Sequence, residues 1–216
     1  MSKLVLHNYF RSSTSYRVRI ALAMKGLPYE YVAHHLRHGG HRAETYLAIN
    51  PQGLVPALVL EDGTVLSQSL AIMEYLDETT PQPPLLPADA RGRARVRMLS
   101  QMIACDIHPV NNLRVLNALR SRYGADDTEI ADWFRHWVNE TFRPLERMLA
   151  ENPDTGTFCH GHAPGMADIC LVAQVANNSR FNVDMSPYPT IARIRDACME
   201  LPAFADAAPA RQPDAE

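Results

Sequence analysis

Up to Leu76 the chain alternates short apolar runs with stretches of helical spacing, and after Asp89 the spacing is helical throughout. Leu4, Val5 and Leu6 predict a short buried strand that ends in a polar turn, Asn8-Tyr9-Phe10-Arg11-Ser12-Ser13-Thr14-Ser15, rich in hydroxyls. Over 16–25, Val18, Ile20, Ala21, Leu22 and Met24 predict an amphipathic helix, stopped by Gly26 and Pro28. Residues 29–32 are β-forming, and a strand–helix–strand opening predicts a parallel pair with a right-handed crossover. Residues 50–56 are rich in breakers and leave no room for regular structure. Residues 57–60 then predict a strand, Glu61-Asp62-Gly63 a tight turn, and 64–66 its hairpin partner. After Gln68-Ser69, the positions of Leu70, Ile72, Met73, Tyr75 and Leu76 mark another helix, so the order is βαβ followed by ββα.

Pro81, Pro83, Pro84 and Pro87 form a linker, which predicts an N-terminal domain over 1–82 and an all-helical one over 89–216. Residues 91–122 read as one long helix bent at Pro109. A second helix covers 128–149, and its stripe of Trp133, Phe134, Trp137 and Phe142 reads as core. Helices over 165–178 and 191–200 follow, and the Pro- and Ala-rich tail, 207–216, is expected to fray.

A chain of 216 residues suits one large domain or two small ones, and 46% hydrophobic with 21% charged residues is an ordinary globular composition. A formal charge of −3 gives no electrostatic reason to expect a nucleic acid or membrane partner. The opening MSKLVLHNYF lacks the apolar core and cleavage site of a signal peptide, which predicts the cytoplasm. Cys105, Cys159, Cys170 and Cys198 are scattered, with no metal-ligand spacing, and read as reduced, mostly buried thiols. His34, His35, His38 and His41 crowd one stretch, but without a carboxylate or thiolate at fitting spacing they read as a solvated loop, and no metal is expected.

The run from Arg11 through Ser12-Ser13-Thr14-Ser15-Tyr16-Arg17-Val18-Arg19 to Leu22 closely resembles the signature of the zeta-class glutathione transferases. So do Asn50-Pro51 through Val55-Pro56, Gln68-Ser69-Leu70-Ala71-Ile72, and Asp106-Ile107-His108-Pro109 through Asn112, in the same order over nearly the whole chain. The resemblance implies a thioredoxin-like α/β domain followed by an all-α domain, glutathione as catalyst, and a homodimer. The family includes the maleylacetoacetate and maleylpyruvate isomerases. Two positions depart from its pattern. Thr14 stands where Cys is commoner, although bacterial maleylpyruvate isomerases also have Thr, and Gly165 replaces the usual Ser or Thr cap three residues before Asp168.

A helix N-terminus presents free N–H groups and partial positive charge, which lowers the pKa of a thiol placed there. The turn before the first helix holds no cysteine, so the nucleophile must arrive with a ligand, and glutathione supplies one. Ser12, Ser13 and Thr14 can donate hydrogen bonds to its thiolate, with Ser12 implied as the principal partner; a plain Ser/Thr helix cap is the alternative. A cis bond before Pro56 would expose the Val55 backbone as an edge, and the resemblance pairs Val55 with the cysteinyl unit. Ser69, beside Gln68 at a helix start, offers an anion site for the γ-glutamyl carboxylate. His41 is placed by resemblance at the glycyl end. His108 and Asn112, spaced i, i+4, are expected to share a face of the long helix and to reach the bound cofactor from the second domain. Arg11, His108, Arg114 and Arg180 together would suit a small substrate with two carboxylates, because the arginine fork grips a carboxylate in bidentate fashion.

The implied reaction is cis–trans isomerisation of a maleyl keto acid, a dicarboxylate, to its fumaryl form in aromatic catabolism. A glutathione transferase acting on α-halo acids or other small electrophiles, and a non-enzymatic binding module of the same fold, are the alternatives. The intact hydroxyl turn speaks against the module, and the cationic residues favour a dicarboxylate.

Overall fold

The computed structural model describes residues 3–216, which divide into two compact units. The first comprises the chain up to Leu85 together with Glu200–Glu216, and the second is Leu86–Met199. The division falls inside the expected linker. The last residues, read from sequence as part of the helical domain, belong instead with the first unit.

In the first unit a four-stranded sheet has the order β2-β1-β3-β4. Strand β1 (Leu4–Asn8) leads into α1 (Ser13–Met24), which crosses over to β2 (Tyr29–Ala33). β1 and β2 pair in parallel, Leu4 opposite Tyr29 and Asn8 opposite Ala33, as a strand–helix–strand unit requires. A short helix, α2 (Glu44–Leu47), precedes β3 (Ala57–Val59), which runs antiparallel to β1 and pairs with β4 (Val65–Ser67). The β3–β4 turn closes with Gly63 at φ 86°, a backbone conformation that suits glycine. Helix α3 (Ser69–Thr79) packs against α1.

Helix α1 is not the amphipathic helix that its spacing suggests. Every residue from Tyr16 to Leu22 is buried, Arg17 and Arg19 included. The Arg19 charge is tolerated there because the surroundings supply acceptors: it donates to Ala207 O (3.0 Å), Asn8 Oδ1 (3.0 Å), Tyr9 O (3.3 Å) and Phe10 O (2.9 Å). Just past the helix, Lys25 reaches Asp77 (2.8 Å) and the carbonyls of Thr80 and Pro83 (each 2.6 Å), tying α1 to the chain that follows α3.

The tail is likewise not frayed. Helix α10 (Pro202–Ala205) seats Phe204 in the core, and Tyr16 Oη donates to the Phe204 carbonyl (2.8 Å). Asp214 accepts from Phe10 N (3.1 Å) and from the Tyr31 hydroxyl, and Glu216 pairs with His35 and Arg37. Small residues let this segment lie close, and its carbonyls and carboxylates satisfy donors that burial would otherwise strand.

The second unit is helical: α4 (Ala90–Gln101), a π-helical segment (Met102–Ile107), α5 (His108–Asn111), α6 (Leu113–Tyr123), α7 (Asp127–Glu151), α8 (Met166–Asn178) and α9 (Pro189–Met199). The expected long helix over 91–122 is therefore broken. The ladder widens to the π form ahead of Pro109, which lacks an N–H, and the backbone at Asn112 is extended (φ −77°, ψ 160°). Ile130, Phe134, Val138, Phe142, Leu145 and Leu149 bury one stripe of α7, and α8 is buried along nearly all its length. Trp133 and Trp137 are only partly buried, so the aromatic stripe is core at its Phe positions. Gly165 gives no side-chain cap to α8; Asp168 compensates, accepting from Gly165 N (2.8 Å) and Cys159 N (2.7 Å). Among the described residues no helix is long and apolar enough to cross a membrane.

Candidate active site

The turn between β1 and α1 is fixed before any ligand is considered. Ser12 N donates to Tyr9 O (3.0 Å), Asp214 holds Phe10 N, and Arg19 holds the Tyr9 and Phe10 carbonyls. Ser12 is the N-cap of α1, and its Oγ accepts from Ser15 N (3.2 Å). No acidic residue stands in the first turn of α1 to neutralise the positive end of the helix.

The hydroxyls form a relay. Ser12 Oγ lies 2.8 Å from Thr14 Oγ1, and Thr14 Oγ1 donates to the Val55 carbonyl (3.0 Å). A hydroxyl carries one proton. Since Thr14 directs its proton to Val55 O, the Ser12–Thr14 bond must run from Ser12. Rotation about the Ser12 Cβ–Oγ bond alone would turn that proton toward an anion, with no heavy atom displaced. Ser13, also buried, occupies the first position of the helix.

Val55 precedes a cis bond to Pro56, and β3 begins at the next residue. The loop before it is shaped by Asn50, whose side chain donates to Leu54 O (2.8 Å) and accepts from Gln52 N (3.2 Å). Gly53 is at φ 59°, and a Cβ there would meet Arg42 NH1 at 2.8 Å, so the loop admits only glycine without rearrangement.

Gln68 caps α3 at φ 70°, an unusual value for a residue other than glycine, and its side chain bonds Gln52 Oε1 (3.2 Å). The Ser69 hydroxyl, buried at the first position of α3, accepts from Arg17 NH1 (3.3 Å). The first turn of α3 also holds no acidic residue. His41 lies in the 3-10 turn Gly40–Arg42; its Nδ1 is buried without a hydrogen-bond partner, and burial, with Arg42 and His34 nearby, holds the ring's pKa down. His7 and His34 stack and share a 2.9 Å hydrogen bond, and burial lowers both. Among the described residues no cluster of three or more His, Cys, Asp or Glu could hold a metal ion.

The structure thus joins Ser12, Thr14 and Val55 by direct bonds and sets Ser69 on Arg17, while Gln68 and His41 make no hydrogen bond to them. The remaining candidates, Arg11 apart, belong to the second unit. His108, half-buried, opens α5. Asn112 does not share a helical face with it: the side chain caps α6, accepting from Arg114 N (3.1 Å) and Val115 N (3.3 Å). Arg114 is exposed in the first turn of α6, and Arg180, also exposed, sits over the Phe181 ring and donates to Asn177 (2.9 Å). Arg11 lies half-buried beside the Phe10 ring.

Sequence reasoning missed Arg17, Arg19 and Asp214. The signal for the arginines was their spacing: Arg17 lies i+4 from Ser13 and i−3 and i−4 from Ile20 and Ala21, on a face that the apolar pattern buries. Of the cysteines, Cys159, Cys170 and Cys198 are buried and Cys105 is exposed, and none of the four is in a disulfide. Burial and the nearby Asp168 carboxylate push the Cys159 and Cys198 thiols up, away from the reactive thiolate form.

A family model for the glutathione S-transferase N-terminal domain matches residues 11–79. A maleylpyruvate isomerase of Ralstonia is 50% identical over 210 residues, covering 97% of this chain and 98% of its own. The holo structure of a maleylpyruvate isomerase, a bacterial glutathione S-transferase in the zeta class, superposes with a TM-score of 0.96 at 49% identity, covering 98% of this chain and 100% of that one. A maleylacetoacetate isomerase of Methylobacterium extorquens, solved with malonate and glutathione bound, gives 0.95 at 42% identity over 98% and 99%. With likeness of this degree along its whole length, and a hydroxyl turn built as described, the chain belongs to the zeta class of the glutathione transferase family.

Proposed function

We propose that this protein is a glutathione-dependent isomerase that converts a maleyl keto acid, maleylacetoacetate or maleylpyruvate, to its fumaryl isomer. The observation that carries the reading is the Ser12–Thr14–Val55 relay at the uncompensated positive end of α1, in a turn with no protein thiol. Such a turn is suited to holding a thiolate that comes with a ligand.

The residues fit glutathione. Ser69 at the start of α3 is a candidate for the γ-glutamyl carboxylate, the Val55 backbone for the cysteinyl unit, and Ser12 for the sulfur; Gln68 and His41 flank them. When bound, glutathione supplies a thiolate that adds reversibly to the cis double bond, so that the bond can rotate before the thiolate leaves. The protein's own part is electrostatic. Ser12 and the first N–H groups of α1, with Ser13 and Thr14 beside them, favour the ionised sulfur by donating to it. Arg11, His108, Arg114 and Arg180 would bind the two carboxylates and stabilise the negative charge that develops on the keto oxygen, the term that dominates such reactions. The Asn112 Oδ1 is committed to capping α6. In this proposal the first unit holds glutathione and the second the keto acid, and the enzyme works as a cytoplasmic homodimer.

The test is to follow each maleyl keto acid by NMR in the presence and absence of glutathione. The reading requires conversion to the fumaryl isomer only with glutathione, and glutathione recovered in full. No conversion, with glutathione consumed and halide released from an α-halo acid, would establish the transferase alternative instead.

A further inference from the structure

We infer that Arg17 is a positioning residue for glutathione, a buried cation beneath the start of α3 that makes the Ser69 site selective for a carboxylate. The inference deepens the glutathione reading above and rests on it.

Arg17 and Arg19 stand two residues apart on α1, and each is only 1% exposed. They differ in their partners. Arg19 makes four hydrogen bonds to carbonyl and amide oxygens, so the fold itself accounts for it. Arg17 makes one, from NH1 to Ser69 Oγ, while its Nε and NH2 are buried with no hydrogen-bond partner. Among the described residues no carboxylate forms an ion pair with it. A guanidinium removed from water is costly unless its charge is balanced, and the fold alone leaves this one unbalanced.

The geometry shows where the balancing charge belongs. Because Ser69 Oγ accepts from Arg17, its own proton is free to be donated onward, which makes the hydroxyl a fixed donor. The same residue opens α3, whose first N–H groups have no intrahelical partner and whose first turn carries no acidic side chain. Three features of one sign, the cation, the hydroxyl proton and the helix end, therefore converge on one spot. An anion bound there would be held by Ser69 and the helix, with Arg17 acting from behind: it orients the Ser69 hydroxyl and adds a charge that solvent screens weakly. In glutathione the matching group is the α-carboxylate of the γ-glutamyl residue.

The experiment compares two ligands on three proteins by calorimetric titration: glutathione and its analogue lacking that carboxylate, 4-aminobutyryl-cysteinyl-glycine, on native, Arg17→Met and Arg17→Lys protein. Thermal melting checks each variant's fold. The native protein should prefer glutathione over the analogue by at least about tenfold. Arg17→Met should lose about 10- to 100-fold in glutathione affinity and less than about threefold for the analogue, and Arg17→Lys should recover part of the preference. At saturating glutathione kcat should stay within about threefold of native, so that the loss falls on KM. If Arg17→Met does not fold, the Lys variant carries the test, since its preference must lie measurably below the native one. A preference unchanged within about twofold in any folded Arg17 variant, or equal losses on both ligands, would overturn the inference and leave Arg17 a packing residue. Failure of the native protein to bind glutathione at all would strike down the underlying reading instead.

Discussion

Replacing Arg19 with Met is the sharpest test of how the hydroxyl turn is held in place. The substitution keeps most of the volume and removes four hydrogen bonds, to Ala207 O, Asn8 Oδ1, Tyr9 O and Phe10 O. Each bond from a charged donor is worth roughly 1.5–3 kcal/mol, so the gross loss is large. Against it stands the relief of no longer desolvating a guanidinium, which costs several kcal/mol in a buried site. Burial already depresses the Arg19 pKa, with Tyr31, Tyr29 and Asp214 opposing, which shows the two effects in competition. Because the Ala207 and Phe10 carbonyls would be stranded, the bonds should win, leaving a net destabilisation of about 3–5 kcal/mol. At about 2–4 °C per kcal/mol for a chain of this size, Tm should fall by roughly 6–20 °C. Calorimetric melting gives the first readout and hydrogen exchange the second. Protection of the Phe10 and Ser12 amides should be lost together with that of the tail around Ala207, because one side chain ties both. A Tm change below about 3 °C, or loss of protection in the turn with the tail unaffected, would refute this account of the turn.

Two further outcomes follow from the same geometry. His7 and His34 are held below their ordinary pKa by burial, so the unfolded chain binds more protons than the folded one beneath pH 6.5. Stability should therefore be fully present above that pH and fall as pH drops through it toward the lower folded values, by at most about 1.4 kcal/mol per pH unit per histidine. Melting curves between pH 7.5 and 5 should be visibly flatter for His7→Asn than for the native protein. Thiol alkylation followed by fresh glutathione should leave most activity, since Cys159, Cys170 and Cys198 are buried and only Cys105 is exposed. Rapid inactivation of both the native enzyme and Cys105→Ala would show that a protein thiol takes part after all.

What was legible in the sequence was local. The strand–helix–strand opening, the Glu61-Asp62-Gly63 turn and the helix starting at Ser69 declare themselves by period, turn residues and caps. The hydroxyl turn could be singled out because a polar run without a cysteine sits where a helix must begin. Long-range satisfaction of buried groups was not legible. Nothing in the composition of 207–216 says that its carbonyls and carboxylates answer Arg19, Phe10 N and Tyr31, so a docked tail read as a frayed one. The spacing of Arg17 against Ile20 and Ala21 hints at its burial, but nothing in the pattern of α1 names the partners that make a buried arginine tolerable. The break at Asn112 was hidden for a different reason. Asn serves both helix interiors and caps, and here capping won because Pro109 and the π-helical segment had already disrupted the ladder.

The central claim is that the chain supplies the setting for a borrowed thiolate, with Ser12 as its partner. The direct measurement is the thiolate absorbance of the glutathione complex as a function of pH, in the native protein and in Ser12→Ala. A hydrogen bond to a charged group is worth roughly 1.5–3 kcal/mol, or about one to two pH units. The account predicts that bound glutathione ionises well below the free thiol in the native complex, and about one unit or more higher in Ser12→Ala than in native. Coincident titrations in the two complexes would contradict it.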